Sequence, residues 1–220
     1  MKFKGVIFDF NGTLFFDSEM HERAWQEVSV ALFDRPIPTA EYREHLNGRC
    51  NRLIVEYLLE GNFTEEDVLR AEVAKEERYR ALCRETPGFI RFTKGAEALF
   101  DTLKARGIPM AIATASEISN VEFYWKEFDL ARWFTRDRII YSDGTLPMKP
   151  APDIYLAAAA RLGLSPAEVI VFEDSNTGLQ AARNAKVGRI YAITGGDDTA
   201  FGRELADEAI PDFTYFDPEE

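Results

Sequence analysis

The chain has 220 residues, which suits one α/β domain, or a domain carrying a smaller insert, and is ample for a core. Its 46% hydrophobic and 29% charged residues are those of an ordinary globular protein. A net charge of −12 argues against nucleic acid, whose phosphates it would repel, and demands local cations if the substrate is itself an anion. Cys50 and Cys83 lack metal-like spacing, so a reduced, cytoplasmic setting is expected. Met1-Lys2-Phe3-Lys4 runs straight into an apolar segment, which reads as no signal peptide, and no apolar run is long enough to span a membrane.

The first element, Gly5-Val6-Ile7-Phe8-Asp9, reads as a strand buried on both faces that ends on a carboxylate and is turned by Asn11-Gly12. Helices follow over Glu19 to Leu32, where Met20, Ala24 and Val28 recur at i, i+4, and over Arg49 to Leu59. A third runs from a Thr64 N-cap to about Cys83. Pro36 with Pro38, Gly61-Asn62 and Pro87-Gly88 interrupt or end these helices, so 16–88 carries no strand signal. Beyond this block, strands are predicted over Ile108–Ala113, Arg138–Tyr141, Val169–Phe172 and Arg189–Ile193. An edge strand is expected at Phe213–Tyr215. Helices alternate with them over Lys94–Arg106, Ile118–Phe128, Asp153–Leu162, Ser175–Ala185 and Thr199–Ala206. This alternation predicts an α/β fold, a doubly wound, Rossmann-like, mostly parallel sheet formed by 1–15 and 90–220. The all-helical segment 16–89 is then an insertion.

Parallel strands bring their carboxyl ends to one edge, so Asp9, Thr114-Ala115-Ser116, Lys149 and Glu173-Asp174 are expected to converge. Alone, Asp9 would read as a capping residue at a strand end. Crowded with two further carboxylates it needs a cation, and a hard divalent ion with oxygen ligands, Mg²⁺, answers that need. Lys149 adds a positive charge and Thr114 a hydroxyl. The set suits a phosphoryl group, with Asp9 as a carboxylate nucleophile.

Asp9-Phe10-Asn11-Gly12-Thr13, Thr114, Lys149 and Glu173-Asp174 resemble, in order, the four motifs of the haloacid dehalogenase-like hydrolases. Lys149-Pro150-Ala151-Pro152-Asp153-Ile154-Tyr155, Glu173-Asp174-Ser175-Asn176-Thr177-Gly178 and His21-Glu22-Arg23-Ala24-Trp25 are similar to the β-phosphoglucomutase-like subgroup of phosphatases and mutases. The resemblance covers essentially the whole chain. It implies a helical cap domain and an aspartyl-phosphate on Asp9. Mg²⁺ would be held by Asp9, the Asn11 carbonyl and Asp174, with Glu173 as a ligand or alongside. Thr114, helped by the amides of Ala115 and Ser116, would bind the phosphoryl oxygens, and Lys149 would steady nucleophile and transferring group.

Asn11 departs from the pattern. Relatives that hydrolyse phosphoesters carry Asp there as general acid and base, help worth about 10² to 10⁴ in rate that an amide withholds. Three explanations stand: an introduced substitution, a native phosphatase that is slow or uses leaving groups needing little protonation, and a protein that binds phosphoesters without turnover. Mutases of the subgroup grip a second phosphate with Arg in a Gly-x-x-Arg pattern. Here Asn51 stands three places after Gly48, with Arg49 and Arg52 nearby. Lys75 and His21 resemble the cap lysine and hinge histidine of those mutases. Solvated helix faces for Arg49, Arg52 and Lys75, and simple packing for His21, are the competing readings. The sequence therefore predicts a Mg²⁺-dependent phosphatase of a small phosphorylated metabolite, ahead of a phosphosugar mutase or a binding protein. Its partners are expected to exclude nucleic acid and membrane, and it is expected to be a monomer or weak homodimer.

Overall fold

The computed structural model describes residues 3–196 and 204–218. The chain separates into two compact units, Met1–Phe16 with Arg91–Glu220, and Asp17–Ile90.

The first unit is built on a six-stranded parallel sheet: β1 (Gly5–Phe8), β2 (Met110–Ala113), β3 (Ile139–Ile140), β4 (Val169–Glu173), β5 (Arg189–Ile193) and β6 (Glu208–Ile210). The strand order is β3-β2-β1-β4-β5-β6, so the α/β, doubly wound reading holds and β1 lies where the order reverses. Phe8 is in register with Ile112 on one side and Phe172 on the other. Every residue of β1, β2 and β4 is buried, the signature of central strands covered on both faces.

Among the described residues, four α-helices accompany the sheet: α5 (Ala96–Ala105), α6 (Ile118–Glu127), α7 (Asp153–Leu162) and α8 (Asn176–Ala185). On one face Ile7, Ala111, Ala113 and Val171 pack with Tyr155, Ala158, Leu179 and Ala182 of α7 and α8, and the run of alanines lets the α7 backbone approach closely. The other face is aromatic. Phe8 and Phe172 stack with centroids 5.4 Å apart, and Phe100 and Phe213 meet Phe8 edge-on. Strand alternation then aims the polar ends: two residues after Ile7 and Val171 come Asp9 and Glu173, on the α7 side of the sheet.

Two expectations change at the C-terminal end. The edge strand is Glu208–Ile210, paired with β5, whereas Phe213–Tyr215 is a 3₁₀ turn capped by the Asp212 side chain. Asp212 accepts hydrogen bonds from the Thr214 amide and hydroxyl, which curls the segment away from a ladder. The helix expected over Thr199–Ala206 lies in large part outside the described residues.

The second unit is all helix: α1 (Ser18–Phe33), α2 (Thr39–Glu41) running into a π-helical turn (Tyr42–Leu46), α3 (Asn51–Leu58) and α4 (Glu65–Glu85). The α2 and π-helical segment has no counterpart in the sequence reading, where Pro36 and Pro38 obscured it. Trp25, Leu46, Ile54, Val55 and Ala71 form the core of this unit. Thr64 and Asp67 complete a capping box at the start of α4. No helix among the described residues is long and apolar enough to cross a membrane.

Candidate active site

The carboxyl ends of β1, β2 and β4 meet as expected. The Asp9 amide donates to the Phe172 carbonyl at 3.0 Å, extending the ladder and fixing the first carboxylate against β4. Lys149, four residues before α7, enters from the helix side. Its Nζ lies 2.6 Å from Asp9 Oδ1, 2.7 Å from Glu173 Oε1 and 3.4 Å from the Ala113 carbonyl. The lysine side chain is only 8% exposed. Burial lowers its affinity for a proton, yet the Asp9 and Glu173 carboxylates outweigh that and hold the ammonium well above its ordinary range.

Glu173 is engaged through both carboxylate oxygens. Oε1 accepts from Lys149 and from the Tyr155 hydroxyl, while Oε2 accepts from the Asp174 and Ser175 amides and the Ser175 hydroxyl. Room for this carboxylate depends on Gly178, where a Cβ would sit 1.6 Å from Oε1. Asp174 is less committed: its Oδ1 accepts from the Thr13 hydroxyl at 3.1 Å. It too faces a glycine, since a Cβ on Gly12 would fall 1.9 Å from Asp174 Oδ2, and Gly12 has φ +76°. Burial, then the charges of Glu173 and Asp9, push the Asp174 carboxyl well above the usual carboxylate range.

Asp9, Glu173 and Asp174 each present a carboxylate oxygen, the three lying within 4.8 Å of one another. Hard oxygens at this spacing match Mg²⁺, and a carboxylate that resists ionisation beside two others is one that a divalent cation would relieve. The group fits these residues. Asp9 and Asp174 would hold it, while Glu173, with both oxygens in hydrogen bonds, would keep Lys149 and the loop after β4 in place.

Beside this cluster lies a second group of polar side chains. Asn11 Nδ2 donates to the Tyr124 hydroxyl at 2.7 Å, and Asn11 Oδ1 accepts from Ser116 Oγ at 2.7 Å and Thr114 Oγ1 at 3.3 Å. Thr114 Oγ1 accepts in turn from the Ser116 amide at 3.1 Å. Thr114 is buried, whereas Ala115 is exposed.

The remaining predicted residues belong to the helical unit. His21 and Lys75 come together there: Lys75 Nζ is 2.7 Å from His21 Nδ1 and 2.8 Å from Glu76 Oε1. His21 stacks on Tyr79 with centroids 4.0 Å apart, and its Nε2 is 3.3 Å from Asp17. The Lys75 side chain is 5% exposed, so a solvated helix face describes it wrongly. Arg52 makes a two-pronged contact with Glu65, both arms at 2.6 Å, and Arg49 is exposed. Sequence reasoning singled out neither Thr13, Tyr124, Tyr155 nor Ser175 for these roles. Ser175 carried a signal as the N-cap of α8; Tyr124 is one aromatic among several on α6 and carried none.

The family model for a haloacid dehalogenase-like hydrolase matches residues 3–186. The chain belongs to this family. Protein CbbY of Rhodobacter capsulatus is 31% identical over 97% of this chain and 95% of its own length. Fructose-1-phosphate phosphatase YqaB of Escherichia coli K12 is 30% identical over 84% of this chain and 93% of its own. Among solved structures, a family IA, variant 3 hydrolase from Entamoeba histolytica superposes with a TM-score of 0.90 at 35% identity, covering 99% of this chain and 96% of the other. The β-phosphoglucomutase of Clostridium difficile shares the fold at 21% identity, with a TM-score of 0.77 over 99% of this chain and 94% of its own. The haloacid dehalogenase-like resemblance read from the motifs therefore holds.

Proposed function

We propose that the protein is a Mg²⁺-dependent phosphatase of a small phosphorylated sugar or similar metabolite, working through an aspartyl-phosphate on Asp9. The observation that carries this reading is the buried ammonium of Lys149 held between Asp9 and Glu173 at the sheet's carboxyl edge, beside a carboxylate trio spaced for a cation. The relatives named for phosphatase activity support the substrate class. When bound, Mg²⁺ would supply charge neutralisation for the phosphoryl oxygens.

Lys149 pairs with Asp9 and aims Oδ1, and its charge opposes the repulsion between carboxylate and phosphate. The Asp9 oxygen forms a bond to phosphorus as the ester oxygen leaves. Thr114 and the amides of Ala115 and Ser116 are the proposed donors to the phosphoryl oxygens, Thr114 and Ser116 exchanging their present contacts with Asn11 and Thr114 for the substrate. Water then cleaves the acyl phosphate and restores Asp9. Asn11 cannot hand a proton to the leaving oxygen, so that proton comes from solvent and turnover is slow for poor leaving groups. On the family resemblance, the helical unit Asp17–Ile90 is the cap that reads the leaving group.

The test is a panel of hexose and pentose phosphates plus p-nitrophenyl phosphate, assayed with Mg²⁺ and with EDTA. Metal-dependent release of phosphate, abolished by Asp9→Asn, is the expected result. Asn11→Asp should raise kcat about 10²-fold on sugar phosphates. Thermal stabilisation by sugar phosphates without any turnover would replace the enzyme by a binding protein, and isomerised hexose phosphate would make it a mutase.

A further inference from the structure

The group around Asn11 has a defined direction. An amide nitrogen only donates, so the Tyr124 oxygen accepts from Nδ2; an amide oxygen only accepts, so Ser116 spends its single hydroxyl proton on Oδ1. The 3.3 Å contact between Ser116 Oγ and the Tyr124 hydroxyl is then made with the phenol proton. Tyr124, Ser116 and Asn11 thus donate to one another in a closed circle. The phenol is itself fixed: Tyr124 is 1% exposed and stacks on Phe10, centroids 4.1 Å apart and planes 16° apart, directly before Asn11 in the chain. A carboxylate at position 11 would offer acceptors on both sides, draw the phenol proton away from Ser116 and open the circle. The ring is matched to an amide.

We propose that Tyr124, with Ser116, is a positioning residue for Asn11, locking its carboxamide in one orientation beside the nucleophile so that it serves as a fixed hydrogen-bonding element rather than a proton carrier. The inference rests on the reading of Asp9 as the reacting group. Cooperative rings of this kind are worth more than separate pairs because each donor polarises the next.

The test combines kinetics with a measurement independent of turnover. Tyr124→Phe keeps the stacking and removes the hydroxyl. It should lower kcat on p-nitrophenyl phosphate roughly three- to tenfold, the weight of one hydrogen bond, with KM within about twofold. In an Asn11→Ala background the same change should have no further effect. The side-chain amide signal of Asn11, assigned by NMR through its loss in Asn11→Ala, should exchange with solvent roughly three- to tenfold faster in Tyr124→Phe, with the backbone amides of β1 and β4 unchanged. An equal kcat loss in the Asn11→Ala background, or unaltered exchange of the Asn11 amide, would overturn the proposal. A protein that turns over no phosphoester would defeat the proposed function alone, and the exchange comparison would still decide the role of Tyr124.

Discussion

Replacing Lys149 by Met removes the ammonium 2.6 Å from Asp9 and 2.7 Å from Glu173 while keeping a chain of similar length. The two carboxylates it leaves are 8% and 1% exposed, so water cannot take over. Taking one partner out of a buried ion pair costs about 3–5 kcal/mol. Proton uptake by the trio recovers part of this, which points to the lower end, about 3 kcal/mol. For a chain of this size each kcal/mol moves the melting point by about 2–4 °C, so the metal-free variant should melt about 6–12 °C below the parent. The assay is thermal unfolding followed by circular dichroism in EDTA at neutral pH. A second variant, Lys149→Met with Glu173→Gln, should recover part of the loss, because it removes one of the stranded charges. A Lys149→Met protein melting within about 2 °C of the parent in EDTA would refute the claim that this lysine holds the acidic edge together.

Three further outcomes follow. Gly178→Ala drives a Cβ to within 1.6 Å of Glu173 Oε1, so it should destabilise the protein by about 1–3 kcal/mol in urea melts and weaken Mg²⁺ binding by calorimetry. The Asp174 carboxyl, raised by burial and by its acidic neighbours, contributes stability that is complete below the unfolded pKa and is lost as pH rises through the folded one. Mg²⁺ should therefore raise the melting temperature more at pH 8 than at pH 5, and equal shifts would count against a metal at this carboxylate. Thr64→Ala breaks the capping box of α4 and should cost about 1 kcal/mol, read as a lower urea midpoint, without altering Mg²⁺ affinity.

Much of this architecture is legible in the residues. Short apolar runs such as Val169 to Phe172 and the turn at Asn11-Gly12 give strand ends without ambiguity, and strand ends are where an α/β protein keeps its chemistry. Thr64 followed by Asp67 marks the start of α4 as clearly as any structure could. What escaped was set by long-range contact. Tyr124 meets Asn11 across 113 residues, and nothing in an aromatic helix face announces a phenol that will hydrogen-bond to a strand end. Lys75 looked like a surface lysine because helical periodicity cannot foresee a neighbouring Glu76 and a His21 54 residues away closing over it. At Phe213–Tyr215 β-propensity lost to Asp212, whose side chain offers the backbone a local turn instead of a partner strand.

The order β2-β1-β4 has a temporal side. Asp9 is made before the lysine and the acids that surround it, numbers 149, 173 and 174. A growing chain thus carries this carboxylate without its ionic partner until Lys149, 140 residues later, is made. Truncated translation products should be chemically silent, however well their early helices form.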